Sequence, residues 1–179
     1  MKKVLLPLVG AGIFLLDESL KNYAEVRGFI VELLVTNNNR KSEYDMLQRA
    51  KAVMAFGVAA VTCMNQAECR EAYAGFENLC FVERHGAEQH PYFGFDYELA
   101  GKRIAEKVIS EDFHRIAVIT DSMRFSNEHD FSRGLCSRFR GGKVKYTHIT
   151  TDNRRVSHSM IDLLMKEEDY DAVVTSNIR

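Results

Sequence analysis

The feature that most constrains the fold of this 179-residue chain is a repeated alternation of short apolar runs with amphipathic stretches. Short runs rich in β-branched residues predict strands, and apolar side chains at helical spacing predict helices. In the first half we predict strands at residues 4–8, 29–35, 58–63 and 79–82. The intervening helices are predicted at residues 13–26, 46–53 and 66–73, with Ser42 as the cap of the second.

A polar stretch, residues 84–91, interrupts this alternation, which then resumes. Further strands are predicted at residues 92–95, 116–119, 144–149 and 172–175, with helices at 98–109, 130–139 and 157–166. Strand–helix–strand repeats give parallel sheets with helices on their faces. The sequence therefore predicts an α/β protein of two Rossmann-like lobes, residues 1–88 and 89–179. The largely apolar residues 29–35 predict a strand that is covered on both faces of the sheet.

Candidate binding residues follow from this topology, because open parallel sheets bind ligands at the carboxyl ends of their strands. Five polar or aromatic residues lie in loops that follow predicted strands: Glu83, Ser122, Phe125, Asn127 and Asp152. Glu83 could accept hydrogen bonds from ligand hydroxyls. It could equally be a solvated carboxylate at a strand end.

Charge and cysteine content restrict the function classes. The net charge of −1 and the pI of about 6.6 give no basic surface for a phosphate backbone. None of the four cysteines has Cys-x-x-Cys spacing, which predicts free thiols in the cytoplasm and no metal site. Met1–Lys3 and the apolar run after them resemble the charged start and apolar stretch of a leader peptide. No small-x-small cleavage site follows, so a strand, turn and helix are favoured.

Motifs of catalysis are missing from the sequence. It has neither a Gly-x-Ser-x-Gly elbow nor a Walker phosphate loop. Gly10 and Gly12 form half of a dinucleotide fingerprint, but its third glycine would fall at Leu15. We therefore expect no enzyme, no catalytic residue and no cofactor.

Three segments of the second half resemble a known family. These are Phe95-Asp96-Tyr97-Glu98-Leu99-Ala100-Gly101 with the helical residues after it, His114-Arg115-Ile116-Ala117-Val118-Ile119, and Asp171-Ala172-Val173-Val174-Thr175-Ser176-Asn177. In order and spacing they resemble the effector-binding domain of lactose/galactose-repressor-type transcription regulators. Phe131-Ser132-Arg133-Gly134-Leu135 is similar to the family's Arg-x-x-Gly-Phe helix start. In the first half, Leu6-Pro7, the predicted helix and Arg27-Gly28-Phe29 together resemble the family's opening strand–helix–Gly-Tyr order.

The resemblance implies a periplasmic-binding-protein-like fold whose second lobe is incomplete. It implies a small-molecule effector that closes the lobes, a homodimer, and DNA contact only through a headpiece that is missing from this chain, with no membrane association. It also adds three candidate ligand contacts: Phe14, Phe131 and Asn177. Phe14 and Phe131 could instead be core residues.

Two departures from the family pattern bear on the ligand. Phe131 stands where the family has a ligand-contacting arginine, and Ile178 stands where it has an aspartate. Neither side chain can form the charged hydrogen bonds that those residues supply. The effector is therefore a sugar-like molecule bound through other contacts, or a more apolar molecule, or the site no longer binds an effector.

Two other classes remain as alternatives. A periplasmic solute-binding protein of a sugar transporter uses the same architecture, although the free cysteines count against export. A flavodoxin- or dehydrogenase-like enzyme is disfavoured by the missing phosphate loop.

Overall fold

A computed structural model of the chain describes residues 2–8, 21–151, 162, 166 and 170–176. Contacts divide it into two units, Met1–Phe95 and Asp96–Arg179. Each unit has its own sheet and its own cluster of buried apolar side chains. The predicted α/β class with two parallel-sheet units is confirmed.

The first unit is organised around a five-stranded sheet. Its strands are β1 Lys2–Leu8, β2 Phe29–Val35, β3 Gly57–Ala60, β4 Leu79–Val82 and β5 Tyr92–Phe93. Their order across the sheet is β2-β1-β3-β4-β5, and each of these pairs is parallel. The carboxyl ends of β2, β3 and β4 therefore lie at the same edge, which positions the loops that follow them.

Two helices of this unit connect its strands, α1 Arg40–Ala52 and α2 Gln66–Ala72. Residues 21–25 are also helical, and Gly28 follows them with φ +79°, as expected of a helix stop. The predicted cap of α1 is wrong. Asn39 Oδ1 accepts the Ser42 N–H at 3.0 Å, so the cap is Asn39, three residues before the predicted one, and α1 begins at Arg40.

The core of the first unit lies between these helices and the sheet. Leu47 of α1 and Phe81 of β4 are almost completely buried, and Tyr73, at the end of α2, packs edge-on against Phe81 with ring centroids 5.1 Å apart. β2 differs from expectation. It is an edge strand, and Leu33 and Val35 are 37% and 47% exposed rather than covered on both faces.

The second unit carries the strands β6 Arg115–Thr120, β7 Lys145–Thr150 and β8 Ala172–Thr175, ordered β7-β6-β8 and all parallel. The helices α3 Tyr97–Ser110 and α4 Ser126–Phe139 pack closely against each other. Glycines at the contact permit this approach. A Cβ atom on Gly101 would lie 2.2 Å from the Phe131 carbonyl oxygen, and one on Gly134 would lie 2.0 Å from that of Glu98.

The boundary between the units differs from the predicted one. β5 pairs with β4, with Phe81 opposite Tyr92, so the strand predicted to open the second lobe belongs to the first sheet. The division consequently falls between Phe95 and Asp96 and not after residue 88. Helix α4 also begins at Ser126, one turn before its predicted start.

Two of the predicted helices lie largely or partly outside the described residues. The beginning of the helix predicted at 13–26 and most of that predicted at 157–166 lie outside the described residues. Within the described part of the chain, no helix has the length and apolar character needed to cross a bilayer.

Candidate functional site

The loops after β2, β3 and β4 form a polar margin of the first unit, which we call the carboxyl edge (residues 36–39, 61–65 and 83–85). Its backbone has an unusual conformation at three positions: Asn37, Asn38 and Glu83 have φ values of 53°, 56° and 63°. Asparagine adopts this left-handed region more readily than most residues, but glutamate rarely does. Such conformations persist only where surrounding contacts hold them, and they concentrate at functional loops.

Arg84 joins the three loops of the carboxyl edge. Its side chain is buried, with the residue 8% exposed. Nη1 donates to Asn38 Oδ1 at 2.8 Å, in the loop after β2, and to the Thr62 carbonyl oxygen at 3.2 Å, in the loop after β3. The Arg84 guanidinium, in the loop after β4, thus fixes the positions of the loops after β2 and β3.

A buried carboxylate supports the same edge from the side of the helices. Glu43, in the first turn of α1, is completely buried. Oε1 accepts the hydroxyls of Thr62 and Tyr73, both at 2.6 Å, and Oε2 accepts the backbone N–H of Cys63 at 2.8 Å. A buried carboxylate is tolerated when its oxygens are satisfied in this way.

Burial around this carboxylate changes the acidity of its neighbours. Burial raises the pKa of the Cys69 thiol to about 12, and the nearby Glu43 charge contributes in the same direction. Burial, with the Glu43 charge, also raises the pKa of Tyr73 well above its ordinary value. Both groups are therefore neutral donors at physiological pH, which suits a structural role and not a nucleophilic one.

The structure places the predicted residue Glu83 at the carboxyl edge. It is half-buried directly after β4, next to Arg84. Its backbone N–H donates to the Phe93 carbonyl oxygen at 2.9 Å, and its own carbonyl oxygen accepts the Tyr92 hydroxyl at 3.4 Å. Strand β5 thus holds the backbone of Glu83, and its contact with a ligand stays a prediction.

A second buried carboxylate occurs at the carboxyl ends of β6 and β8. Glu128, in the first turn of α4, is 3% exposed. Oε2 accepts the Asp121 backbone N–H at 3.1 Å and the Ser176 hydroxyl, and Oε1 accepts the Asn127 amide at 3.3 Å. Its negative charge is also favourable at the amino end of a helix.

The neighbouring strand contributes a histidine to the same end of the sheet. His148 Nε2 lies 2.9 Å from the Thr120 hydroxyl. Burial lowers the pKa of His148 below its ordinary value, which favours the neutral imidazole.

Three residues predicted to contact ligand lie together after β6. Ser122 is half-buried, and its backbone N–H donates to Asp121 Oδ1 at 2.7 Å. Phe125 is buried at the start of α4, with the Arg124 guanidinium 4.8 Å from its ring centroid. Asn127 lies in the first turn of α4, and its Oδ1 atom is buried without a hydrogen-bond partner among the described residues.

Phe131 occupies a different environment from these three. It is 4% exposed and packs in the core cluster of the second unit. Phe131 therefore has a core position, and its contact with a ligand stays a prediction. The remaining predicted contacts, Phe14, Asp152 and Asn177, lie outside the described residues.

Three residues of these two edges were not predicted from the sequence: Arg84, Glu43 and Glu128. Arg84 had a usable signal, since it is the second residue after a predicted strand. The two glutamates had none, because acidic residues in a first helical turn are ordinary and commonly exposed.

A solvent-open groove of about 520 Å³ begins at the carboxyl end of β2 and continues along one face of α1. The hydroxyl of Thr36 at its base is buried and has no partner within the described residues. Residues of mixed charge line the groove: Thr36, Asn37, Asn39, Lys41, Ser42, Asp45, Met46 and Arg49. In the described residues no group of three histidine, cysteine or acidic side chains is placed to hold a metal ion.

Comparison with known proteins shows the fold. The Cra dual regulator of Pseudomonas putida, solved with fructose 1-phosphate, matches with a TM-score of 0.83 at 18% identity, over 97% of this chain and 67% of its own. The regulator CcpA of Lactococcus lactis matches with a TM-score of 0.80 at 14% identity, over 98% and 68%. GanP, a glucose-galactose binding protein of Geobacillus stearothermophilus, matches with a TM-score of 0.81 at 18% identity, over 97% and 67%.

This chain therefore has the periplasmic-binding-protein-like fold that these two transcription regulators share with the sugar-binding protein. It spans about two thirds of the length of each of these structures. No protein-family model matches the sequence, and no curated protein matches it.

Proposed function

We propose that this chain is the small-molecule-sensing part of a bacterial transcription regulator of the repressor type. The effector binds at the carboxyl ends of the parallel strands, and its binding closes the two lobes. In the longer protein, a homodimer, this closure shifts the population between states that differ in DNA affinity. DNA contact is made by a headpiece outside this chain.

The observation that carries the proposal is the concentration of polar groups at the carboxyl edge, within a fold shared over 97% of the chain with Cra. Glu83 and the asparagines after β2 offer acceptors and amide donors of the kind that polyhydroxylated ligands require. One fold can carry unrelated functions in different proteins, so function depends on the residues of the site and not on the fold. We therefore expect a sugar or sugar phosphate as effector and no catalytic turnover.

The four free cysteines favour a regulator over an exported protein. Cys63 and Cys69 are buried and Cys80 and Cys136 are half-buried, and none pairs with another. Free thiols are typical of a reducing compartment. The second candidate, a solute-binding protein of a sugar transporter, is supported by the match to GanP.

Thermal unfolding in the presence of sugars tests this function. The 179-residue chain is screened against D-fructose 1-phosphate, D-glucose and D-galactose. A ligand at about 100 times its Kd stabilises the chain by about 2.7 kcal/mol and raises the melting temperature. The E83A variant should lose this rise, whereas E77A, which removes an exposed acid of the same unit, should keep it.

Two outcomes would count against the proposal. One is an unchanged melting temperature with all three sugars and with a wider panel of nucleobases and small acids. The other is ligand binding that the E83A variant does not weaken. Regulator and transport protein are separated by whether the longer protein binds DNA in an effector-dependent manner.

A further inference from the structure

We propose that Arg84 and Glu43 are positioning residues that hold the three loops of the carboxyl edge as one cooperative unit, so that Glu83 is presented to the ligand in a fixed orientation. This inference rests on the proposed function, because it concerns the same edge. It adds two residues that act through others and make no contact with the ligand themselves.

The first step is the attachment of the loop after β3 to the helices. The Glu43 carboxylate accepts the Thr62 hydroxyl at 2.6 Å and the Cys63 N–H at 2.8 Å, so it binds two consecutive residues of this loop. The Thr62 hydroxyl oxygen also accepts the Met64 N–H at 3.0 Å. The loop therefore has little freedom while Glu43 is in place.

The second step is the transfer of this constraint to the other loops. The carbonyl oxygen of Thr62, the residue fixed by Glu43, accepts Arg84 Nη1 at 3.2 Å. The same nitrogen donates to Asn38 Oδ1 at 2.8 Å. A continuous path of hydrogen bonds thus runs from α1 through the loop after β3 to the loops after β4 and β2.

The third step concerns Glu83. Its φ of +63° lies in the left-handed region, which is strained for a residue with a Cβ atom and persists only where surrounding contacts hold it. On one side its backbone is held by β5, through the Phe93 carbonyl oxygen at 2.9 Å. On the other side the next residue, Arg84, is held by the path described above. Release of Arg84 should let Glu83 leave this conformation.

Two asparagine variants provide a matched test. Asn37 and Asn38 both have left-handed φ values, so N37G and N38G make the same backbone change in adjacent positions. Only N38G removes an acceptor of Arg84. Amide hydrogen exchange is measured in the full chain for residues 61–65, which lie in a different loop.

We expect N38G to accelerate exchange at residues 61–65 by about threefold and N37G to leave it unchanged. R84M should accelerate it by roughly five- to tenfold. R84K should restore part of the protection, because one ammonium group replaces a planar guanidinium. E43Q should likewise retain more protection than E43L, because its amide oxygen keeps one acceptor.

A merely structural role predicts a different pattern. Acceleration spread evenly over β1–β4, α1 and α2, or equal effects of N37G and N38G, would overturn the inference. Exchange in α3 and α4 serves as an internal reference in the second unit.

Binding of D-fructose 1-phosphate and D-galactose is then measured for each variant. If either sugar binds the parent chain, N38G should weaken it at least about threefold more than N37G does, and equal weakening contradicts the inference. If neither sugar binds, the exchange pattern decides by itself whether the loops are coupled, and the wider ligand screen decides the proposed function separately.

Discussion

The Tyr73 hydroxyl donates to Oε1 of the Glu43 carboxylate at 2.6 Å, across the interface between α2 and α1. The same oxygen accepts the Thr62 hydroxyl, so two helices and the loop after β3 meet at one atom. Burial of a carboxylate costs free energy that only a complete set of donors offsets. The stability of the first unit should therefore depend strongly on this contact.

The Y73F variant tests the contact directly. Removal of the hydroxyl leaves Glu43 with one donor fewer in a buried site, so the free energy of unfolding should fall by roughly 1–2 kcal/mol in urea denaturation. Y44F is the matched control, because Tyr44 is 48% exposed on α1. Combined with E43Q in a double-mutant cycle, Y73F should show a coupling of roughly 1 kcal/mol. Additive effects would mean that the two side chains do not interact.

The close packing of α3 on α4 gives a second prediction. G101A places a methyl group 2.2 Å from the Phe131 carbonyl oxygen and 2.7 Å from the Leu135 nitrogen, both backbone atoms. The helices must separate, which should cost at least about 2 kcal/mol of unfolding free energy.

G141A makes the same chemical change where nothing lies within 4 Å of the added atom. It should alter the unfolding free energy by no more than about 0.5 kcal/mol. A G101A variant as stable as G141A would show that α3 and α4 are farther apart than described here.

Alkaline pH should destabilise the first unit. The pKa of Cys69 rises from 9.0 to about 12 on folding, and that of Tyr73 rises well above 10.0. The unfolded chain therefore releases these protons first, so the stability they contribute is complete below about pH 9 and declines as the pH rises toward about 12. Thermal unfolding at about pH 8 and about pH 10.5 measures the decline.

A C69A/Y73F variant should show a smaller decline over the same range, although its stability at about pH 8 is lower. Y44F is the control for the loss of a phenol, because Tyr44 is 48% exposed on α1. An unchanged pH dependence in C69A/Y73F would exclude these two groups as its source.

Acidic pH should affect the second unit through His148. Burial lowers the pKa of this imidazole below its ordinary value of 6.5 in the folded chain. The unfolded chain therefore takes up the proton first, and stability is retained above about pH 6.5 and lost as the pH falls below it.

The H148Q variant should reduce this loss when melting temperatures at about pH 7.5 and about pH 5.5 are compared. H129Q replaces an exposed histidine of α4 and should leave the loss unchanged. The opposite ranking of the two variants would assign the effect to another group.

Local sequence patterns were sufficient for much of the fold. The strands β2, β4 and β8 have the bounds that their apolar, β-branched runs predict. This agreement has a simple cause: hydrophobic periodicity is a property of neighbouring residues and needs no knowledge of distant ones. The same argument identified the loops after β4 and β6, and with them Glu83 and Ser122, whereas Asn127, predicted in the second loop, lies in α4.

The pairing of β5 could not be predicted from local sequence patterns. A two-residue strand has no periodicity of its own, and its hydrogen bonds to β4 determine the unit to which it belongs. The start of α4 was missed because Ser126–His129 lack an apolar stripe, although the buried carboxylate of Glu128 holds this turn in place.

The sequence by itself determined the alternation of strands and helices, and hence the class of fold and the edge at which ligands are expected. Only the tertiary structure decided that Glu43 and Glu128 are buried and that Arg84 connects three loops. The reason is that a carboxylate becomes a structural group only when donors surround it, and those donors lie up to 30 residues away for Glu43 and 48 for Glu128. No local pattern records contacts at that separation.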